Sequence, residues 1–398
     1  MRQLLLIGGG HSHALVLRSF GLHKLPADVR VTLLCNSALA PYSGMLPGYV
    51  AGHYTQAEVH IDLQRLANFA GARLQIGSAV GIDRHARRVL CASGEALDYD
   101  FLSINIGSTP QQSQVPGAAA HSVPVKPVPV FDQRWRALLA ELGQIGAEFK
   151  STGKSTGRGP TLRIAVVGGG AGGVELLLAM QFRLHSVLRS WGLPGEAIEK
   201  TLEFHLLTQG PGILATHNAG VQQRFTRVLA QRGVQLHRHA EVSAVHANGL
   251  RTQSGLQLAA DAIFWVTQAA GAPWLQTTGL ALDAQGFIEV NTQLQSMSDP
   301  RIFAAGDTAA IVGHPLAKAG VFAVRQARPL ANNLRRIIAG KPLLHYHPQR
   351  RWLALISTGN QEAVASYGAI GFGGAWVWRW KDRIDRRFMR QFADSGMK

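Results

Sequence analysis

Residues 162–175 read LRIAVVGGGAGGVE, an apolar run that enters a glycine turn and leaves it on a helical pattern. The β-rich run Leu162–Val167 predicts a buried strand, and strand, glycine turn and helix in that order belong to a parallel α/β architecture. Gly168, Gly170 and Gly173 fill all three positions of GxGxxG. The first glycine permits the tight turn and the second lets the backbone approach a pyrophosphate. The third lets the helix pack closely, so the phosphates rest on a positive helix N-terminus. A further strand is expected over Leu202–Thr208, where Thr208 and Gln209 stand in place of the acidic residue that would bind a ribose hydroxyl. No Arg adjoins them in sequence, so the choice between NADH and NADPH is not readable.

The same grammar stands earlier in the chain, in MRQLLLIGGGHSH (residues 1–13). Here a strand over Gln3–Ile7 precedes Gly8 and Gly10, a helix is expected from about Ser12, and a strand over Val29–Cys35 follows. His13 replaces the third glycine, and Asn36 is the residue placed to hydrogen-bond a ribose. Two such turns point to two Rossmann-like dinucleotide-binding folds in series. Between them, KSTGKSTGRGP (150–160) predicts a flexible surface loop. Its GKS triplet is not a P-loop, because Glu148 stands where a glycine is required and no apolar strand precedes it.

The composition fits this reading. The 398 residues are 46% hydrophobic and 16% charged, enough for ordinary cores, which excludes wholesale disorder and a collagenous class. Cys35 and Cys91 are the only cysteines, too few for a disulfide framework or a multi-cysteine metal site, and they suit a reducing, cytoplasmic setting. No run reaches the roughly 18 apolar residues of a membrane span, and the apolar start leads into a glycine turn instead of a cleavage site. His11 with His13, and His345 with His347, lack Cys, Asp or Glu partners in register, so no metal site is expected. The net charge of +16 leaves an anionic membrane surface or an acidic partner open. Nucleic acid is not expected, because no zinc finger, helix-turn-helix or aromatic single-strand platform accompanies the charge.

LDYDFLSINIGSTP (Leu97–Pro110) and RIFAAGDTA (Arg301–Ala309) resemble the domain-crossing and flavin-closing segments of the pyridine nucleotide-disulfide oxidoreductase superfamily. The resemblance covers nearly the whole chain and implies a glutathione-reductase-like FAD/NAD(P)-binding fold. It implies FAD-binding segments at 1–120 and 296–345, an NAD(P)-binding domain at 121–295, and a small C-terminal interface or membrane-surface region at 346–398. The FAD contacts it implies are Gly8, Gly10, His11, Asn36, Gly44, Gly107, Gly306 and Asp307, and the NADH or NADPH contacts are Gly168, Gly170, Gly173 and Gln268. The superfamily's disulfide reductases carry CxxxxC beside the flavin, where this chain has APYSGMLPGYVAG (Ala40–Gly52). Direct flavin chemistry is therefore expected, and sulfide oxidation through cysteines is disfavoured on the same ground.

PYSGMLPG, KAGVFAVRQA (Lys318–Ala327) and WKDRIDRRFM (Trp380–Met389) look most like the flavoprotein module associated with selenide, water dikinase. Three residues are similar to flavin-site residues of type II NADH dehydrogenases and of the apoptosis-inducing-factor group: Glu175 facing the flavin, Lys126 paired with it, and Gln326 near the acceptor pocket. This resemblance implies an enzyme in which NADH or NADPH reduces FAD and a quinone or other small acceptor reoxidises it. Two alternatives stay open: a ferredoxin-type electron-transfer reductase, and a non-enzymatic redox sensor. The sensor is favoured by Gln268 replacing a glycine in FWVTQAAG (Phe264–Gly271). In the C-terminal segment Trp376, Trp380, Ile384, Phe388 and Phe392 would form one apolar stripe on a helix over Ala375–Phe392. Beside it stand Arg379, Lys381, Arg383, Arg386, Arg387 and Arg390. That pattern suits the inner face of a membrane, and equally a helix docked on the protein's own FAD domain or on a homodimer partner.

Overall fold

The computed structural model of the chain describes residues 1–110, 115–152, 162–267, 269–349 and 351–393. The first unit runs β1 (Arg2–Ile7), α1 (His11–Leu22), β2 (Val29–Cys35), β3 (Arg73–Ile76) and β4 (Phe101–Ile104). The second runs β5 (Val123–Pro124), β6 (Leu162–Val167), α2 (Ala171–Ser190), β7 (Leu202–Leu207), α3 (Ala219–Gln231), β8 (Gln235–His237) and β9 (Ala262–Trp265). The chain then returns to the first unit with β10 (Ile302–Ala304) and α4 (Gly320–Ile338). It ends in a hairpin sheet of β11 (Ala354–Ser357), β12 (Ala363–Tyr367) and β13 (Ile370–Gly374), followed by α5 (Ala375–Arg390).

Two five-stranded parallel sheets result, in the orders β10-β4-β1-β2-β3 and β5-β9-β6-β7-β8. Strands covered by helices on both faces read as continuous apolar runs, and Leu4–Ile7 and Ile164–Val167 are accordingly buried. The two units meet where Thr109 and Pro110 pair antiparallel with Ala270 and Ala269, which makes the expected crossing segment a physical seam. Of the loop expected over 150–160, residues 150–152 belong instead to the helix Val128–Thr152, and residues 153–160 lie outside the described residues.

The C-terminal region joins both cores. Ile356 and Val364 of its sheet belong to the core of the second unit, whereas Phe388 and Phe392 belong to that of the first. Gly359, in the β11–β12 turn at φ 88°, lies against α2 so tightly that a Cβ would meet the Leu178 carbonyl oxygen at 2.4 Å. Only glycine fits that approach.

The two glycine turns solve one steric problem in different ways. At Gly173 a Cβ would stand 1.9 Å from the Gly168 carbonyl oxygen. In the first turn the corresponding His13 is fully buried, and its ring lies 2.7 Å from the Gly8 carbonyl oxygen and 2.9 Å from Ser103 Oγ. A carbonyl can only accept, so Nδ1–H donates to Gly8 and Nε2 accepts from Ser103. Asn105 completes the knot: Nδ2 donates to the Ala305 carbonyl at 2.7 Å, and a Cβ on Gly10 would collide with its Oδ1 at 2.3 Å.

Burial pushes the His13 pKa down to about 4. Folded His13 therefore stays neutral where the unfolded residue, near 6.5, takes up a proton. Its share of the stability is complete above pH 6.5 and falls away toward pH 4. His13→Ala should destabilise the protein by about 2–4 kcal/mol at pH 7.5, through a cavity and two orphaned partners. Urea unfolding at pH 7.5 and at pH 4.5 checks both statements: His13→Gln should narrow the difference between the two midpoints.

Candidate functional site

Both glycine turns end on helices whose N-caps, Gly10 and Gly170, have extended backbone, no side-chain cap and no acidic residue in the first turn. Apart from the His13 N–H, which donates to Asn105 Oδ1 at 3.4 Å, the leading N–H groups of these helices have no side-chain partner among the described residues and suit an anion. Cβ atoms added at Gly170 and at Gly107 (φ 77°) would meet nothing within 4 Å. These features fit a pyrophosphate-bearing ligand at each turn. Asn36 is exposed just beyond the C-terminal end of β2 and has no side-chain hydrogen bond among the described residues. Gln268 lies outside the described residues.

Asp307 sits in the short 3₁₀ turn Gly306–Thr308 that follows β10. Its carboxylate accepts from Lys126 Nζ at 3.1 Å and Ser108 Oγ at 3.3 Å. The expected Lys126–Glu175 pair is therefore not formed. β5 lies beside β9 at the edge of the second sheet, and the chain leaving it carries Lys126 to the β10 turn, where Asp307 is the available anion. Gln326 is buried, and its Oε1 accepts from the Gly306 N–H at 2.6 Å, which fixes the turn that carries Asp307. Lys318 Nζ donates to the Ala309 carbonyl at 2.8 Å and lies 3.6 Å from the Phe287 ring centre. Burial lowers the Lys318 pKa to about 8, against the pull of Asp307 and Asp283. Burial likewise lowers His11 to about 4, opposed by Asp307, so its ring is neutral at physiological pH.

A second cluster stands beside the first, through the edge contact of His11 with Tyr42 at 5.2 Å between ring centres. Lys381 of α5 forms a 2.6 Å ion pair with Asp385 one turn on, and also donates to the Gly44 carbonyl at 2.6 Å. The Tyr42 hydroxyl donates to Asp385 at 3.1 Å, and the Tyr42 ring stacks on Phe388 at 4.5 Å. Burial and the Asp385 charge hold the Tyr42 hydroxyl far above the usual phenol range. Glu175 of α2 accepts from the Ser357 N–H at 2.6 Å. Burial raises its pKa to about 7, with Lys381 pulling downward and Asp385 upward; Lys126 is not among the charges that act on it.

Lys381, Asp385, Tyr42 and Asn105 were not anticipated as site residues. The i,i+4 spacing of Lys381 and Asp385 was visible but read as part of a basic face. The C-terminal stripe also divides. Phe388 and Phe392 are buried in the first core, and the helix ends at Arg390, whereas Trp376, Trp380 and Ile384 are 53%, 37% and 42% exposed. Arg379, Arg383 and Arg387 are exposed beside them, while Arg386 turns inward to Asp382 and Glu58 at 2.8 and 2.7 Å. Docking on the first core thus takes up the C-terminal end of the helix, while the N-terminal half packs Val377 against Ala363 and Ala365 of the hairpin sheet and leaves the face of Trp376, Trp380 and Ile384 exposed.

Comparison with known proteins agrees with this geometry. The family model for pyridine nucleotide-disulphide oxidoreductases matches residues 2–329. An NADH dehydrogenase-like protein, YutJ of Bacillus subtilis, is 24% identical over 371 residues, covering 93% of each chain. The type II NADH:quinone oxidoreductase of Haemophilus influenzae is 25% identical over 92% of this chain and 87% of its own. The solved structure of NDH2 from Plasmodium falciparum in complex with NADH superposes with a TM-score of 0.78 at 14% identity, covering 100% of this chain and 99% of that one. With two parallel nucleotide-binding sheets, uncapped helix N-termini at both glycine turns and a family match over most of its length, this chain belongs to the pyridine nucleotide-disulphide oxidoreductase family.

Proposed function

We propose that the chain is an FAD-dependent NAD(P)H:quinone oxidoreductase that works without a redox-active disulfide. The observation that carries the reading is Glu175, a carboxyl with a pKa near 7 opposite the Lys381 ammonium, at the place where the two units and α5 converge. The relatives named for NADH dehydrogenase and quinone oxidoreductase activity support the same reading. Cys35 and Cys91 are free and buried in separate strands, which suits electron transfer without a dithiol relay.

Bound FAD would supply the redox chemistry, taking a hydride from NAD(P)H and passing electrons to the acceptor. The first glycine turn would hold its pyrophosphate, with Asp307 beside the rest of the chain that joins it to the ring. Lys126 and Ser108 orient Asp307, and Gln326 locks the turn below it. Quinone reduction consumes protons, and a carboxyl that titrates near neutrality is suited to deliver them. Lys381, held by Asp385 and the Gly44 carbonyl, keeps a positive charge beside Glu175 and stabilises the carboxylate each time it gives up its proton. The exposed Trp376, Trp380 and Ile384, with Arg379, Arg383 and Arg387, form a face suited to an anionic lipid surface from which a quinone is drawn. Among the described residues no helix is long and apolar enough to cross a membrane.

The protonated carboxyl is the proton donor, so quinone-reductase kcat should fall as pH rises through about 7. Glu175→Gln should lower kcat by about tenfold to a hundredfold and remove that inflection, as read from steady-state pH profiles. Double-mutant cycles on the same rate should show coupling between Glu175→Gln and Lys381→Met, but near-additivity between Glu175→Gln and Lys126→Met. Trp376→Ser, Trp380→Ser and Ile384→Ser together should abolish sedimentation with vesicles containing phosphatidylglycerol. Wild-type binding should itself weaken between low and high salt.

A further inference from the structure

The carboxyl end of β7 is where a dinucleotide-binding sheet meets the adenosine ribose of its ligand. Here it carries Thr208, whose hydroxyl would lie 2.6 Å from a Cβ on Gly169, so this side chain faces the glycine turn. The neighbouring β8 runs parallel to β7 with Leu207 opposite His237. The ladder continues one step further, since the Thr208 N–H donates to the His237 carbonyl at 2.9 Å. Arg238 is therefore the residue opposite Thr208, on the same face of the sheet.

The ladder then skips a residue. Ala240, not His239, donates to the Thr208 carbonyl, at 2.9 Å, while the His239 N–H turns to the Gly210 carbonyl at 3.0 Å. His239 adopts the left-handed backbone, at φ 51°. Bulges of this kind re-aim side chains at the edges of sheets, and this one presents Arg238 and His239 at the carboxyl edge beside the 209–214 loop. Both residues are exposed, and neither side chain has a hydrogen-bond or ion-pair partner among the described residues. The next carboxylate in sequence, Glu241, lies beyond the bulge, its backbone carbonyl accepting from the Gln253 N–H.

We propose that Arg238, assisted by His239, forms a subsite for the 2′-phosphate of NADPH and makes NADPH the preferred reductant. The proposal rests on the NAD(P)H oxidoreductase reading above. Two features converge on it. No carboxylate stands at Thr208 or Gln209 to bind the free ribose hydroxyls of NADH or to repel a phosphate. The guanidinium is instead supplied from the adjacent strand, where its planar donor fork matches phosphate oxygens in a bidentate arrangement. Arg238 is 30 residues from Thr208 in sequence, so inspection of the end of β7 alone does not reveal it.

The test is the ratio of kcat/KM for NADPH to that for NADH, measured on the flavin-loaded protein by flavin reduction, together with calorimetric affinities for 2′,5′-ADP and 5′-AMP. The wild type should prefer NADPH, and should bind 2′,5′-ADP about tenfold or more tightly than 5′-AMP. Arg238→Gln should lower both ratios by about tenfold, Arg238→Lys should restore part of the loss, and His239→Gly, which accepts the left-handed backbone, should lower them by a smaller factor. Misfolding would reduce both members of each ratio and leave the ratios in place. Equal wild-type affinities for the two adenosine phosphates, or ratios that Arg238→Gln does not change, would overturn the proposal. If neither nicotinamide reduces the flavin, the oxidoreductase reading fails, and the 2′,5′-ADP affinities alone decide the subsite.

Discussion

The buried ion pair of Lys381 with Asp385 is the constraint around which the rest of the site is organised. An ion pair with side chains only 13% and 6% exposed repays its desolvation only when the remaining donors and acceptors are also satisfied. Here Lys381 reaches the Gly44 carbonyl and Asp385 receives the Tyr42 hydroxyl. Those contacts pin α5 to the PYSG loop and set the ammonium beside Glu175. Removing either partner would leave a buried charge unpaired, which in proteins costs about 3–5 kcal/mol. The helix is thus held by the same groups whose charges act on the Glu175 carboxyl, Lys381 pulling down and Asp385 pushing up a pKa that burial raises to about 7. Architecture and electrostatics cannot be varied separately at this point.

The two nucleotide-binding turns show how one backbone design admits different side-chain solutions. Gly173 is required because the Gly168 carbonyl occupies the space of a Cβ. His13 answers the equivalent carbonyl with an N–H donor and fastens the turn to Ser103 of β4. A steric rule at one turn becomes a hydrogen-bonding rule at the other, so departure from the glycine pattern does not weaken the first turn. Asn105 extends this knot to β10 and hence to Asp307, tying the first glycine turn to the returning segment 200 residues later.

Much of the fold was legible because glycine spacing and apolar runs are local signals. Leu162–Val167 with Gly168, Gly170 and Gly173, and Gln3–Ile7 with Gly8 and Gly10, announce two parallel sheets without any tertiary information. The site was legible only in part. Glu175 and Asp307 could be picked out by the motifs they stand in, but their partners could not, because an ion pair is decided by which strands lie side by side. The partner of Lys126 follows from the placement of β5 at the sheet edge, and Lys381 from the docking of a helix whose sequence shows a basic face beside an apolar stripe. The aromatic stripe was visible at its helical spacing, but periodicity carries no information on where along the helix a neighbour stops covering it.

The hydrogen bond from Lys381 to Gly44 spans 337 residues of chain, and that from Ser357 to Glu175 spans 182. Contacts of such long sequence separation form only after the loops between them have surrendered their entropy. The sheet of the second unit can therefore assemble from a contiguous stretch of chain while the corner around Glu175 is still open, whereas the first also waits for β10 and α4 to return. On the function proposed above, chemistry at the flavin is a property of the finished molecule, and a half-folded chain that had already captured its cofactor would hold it without the Lys381 charge that acts on Glu175.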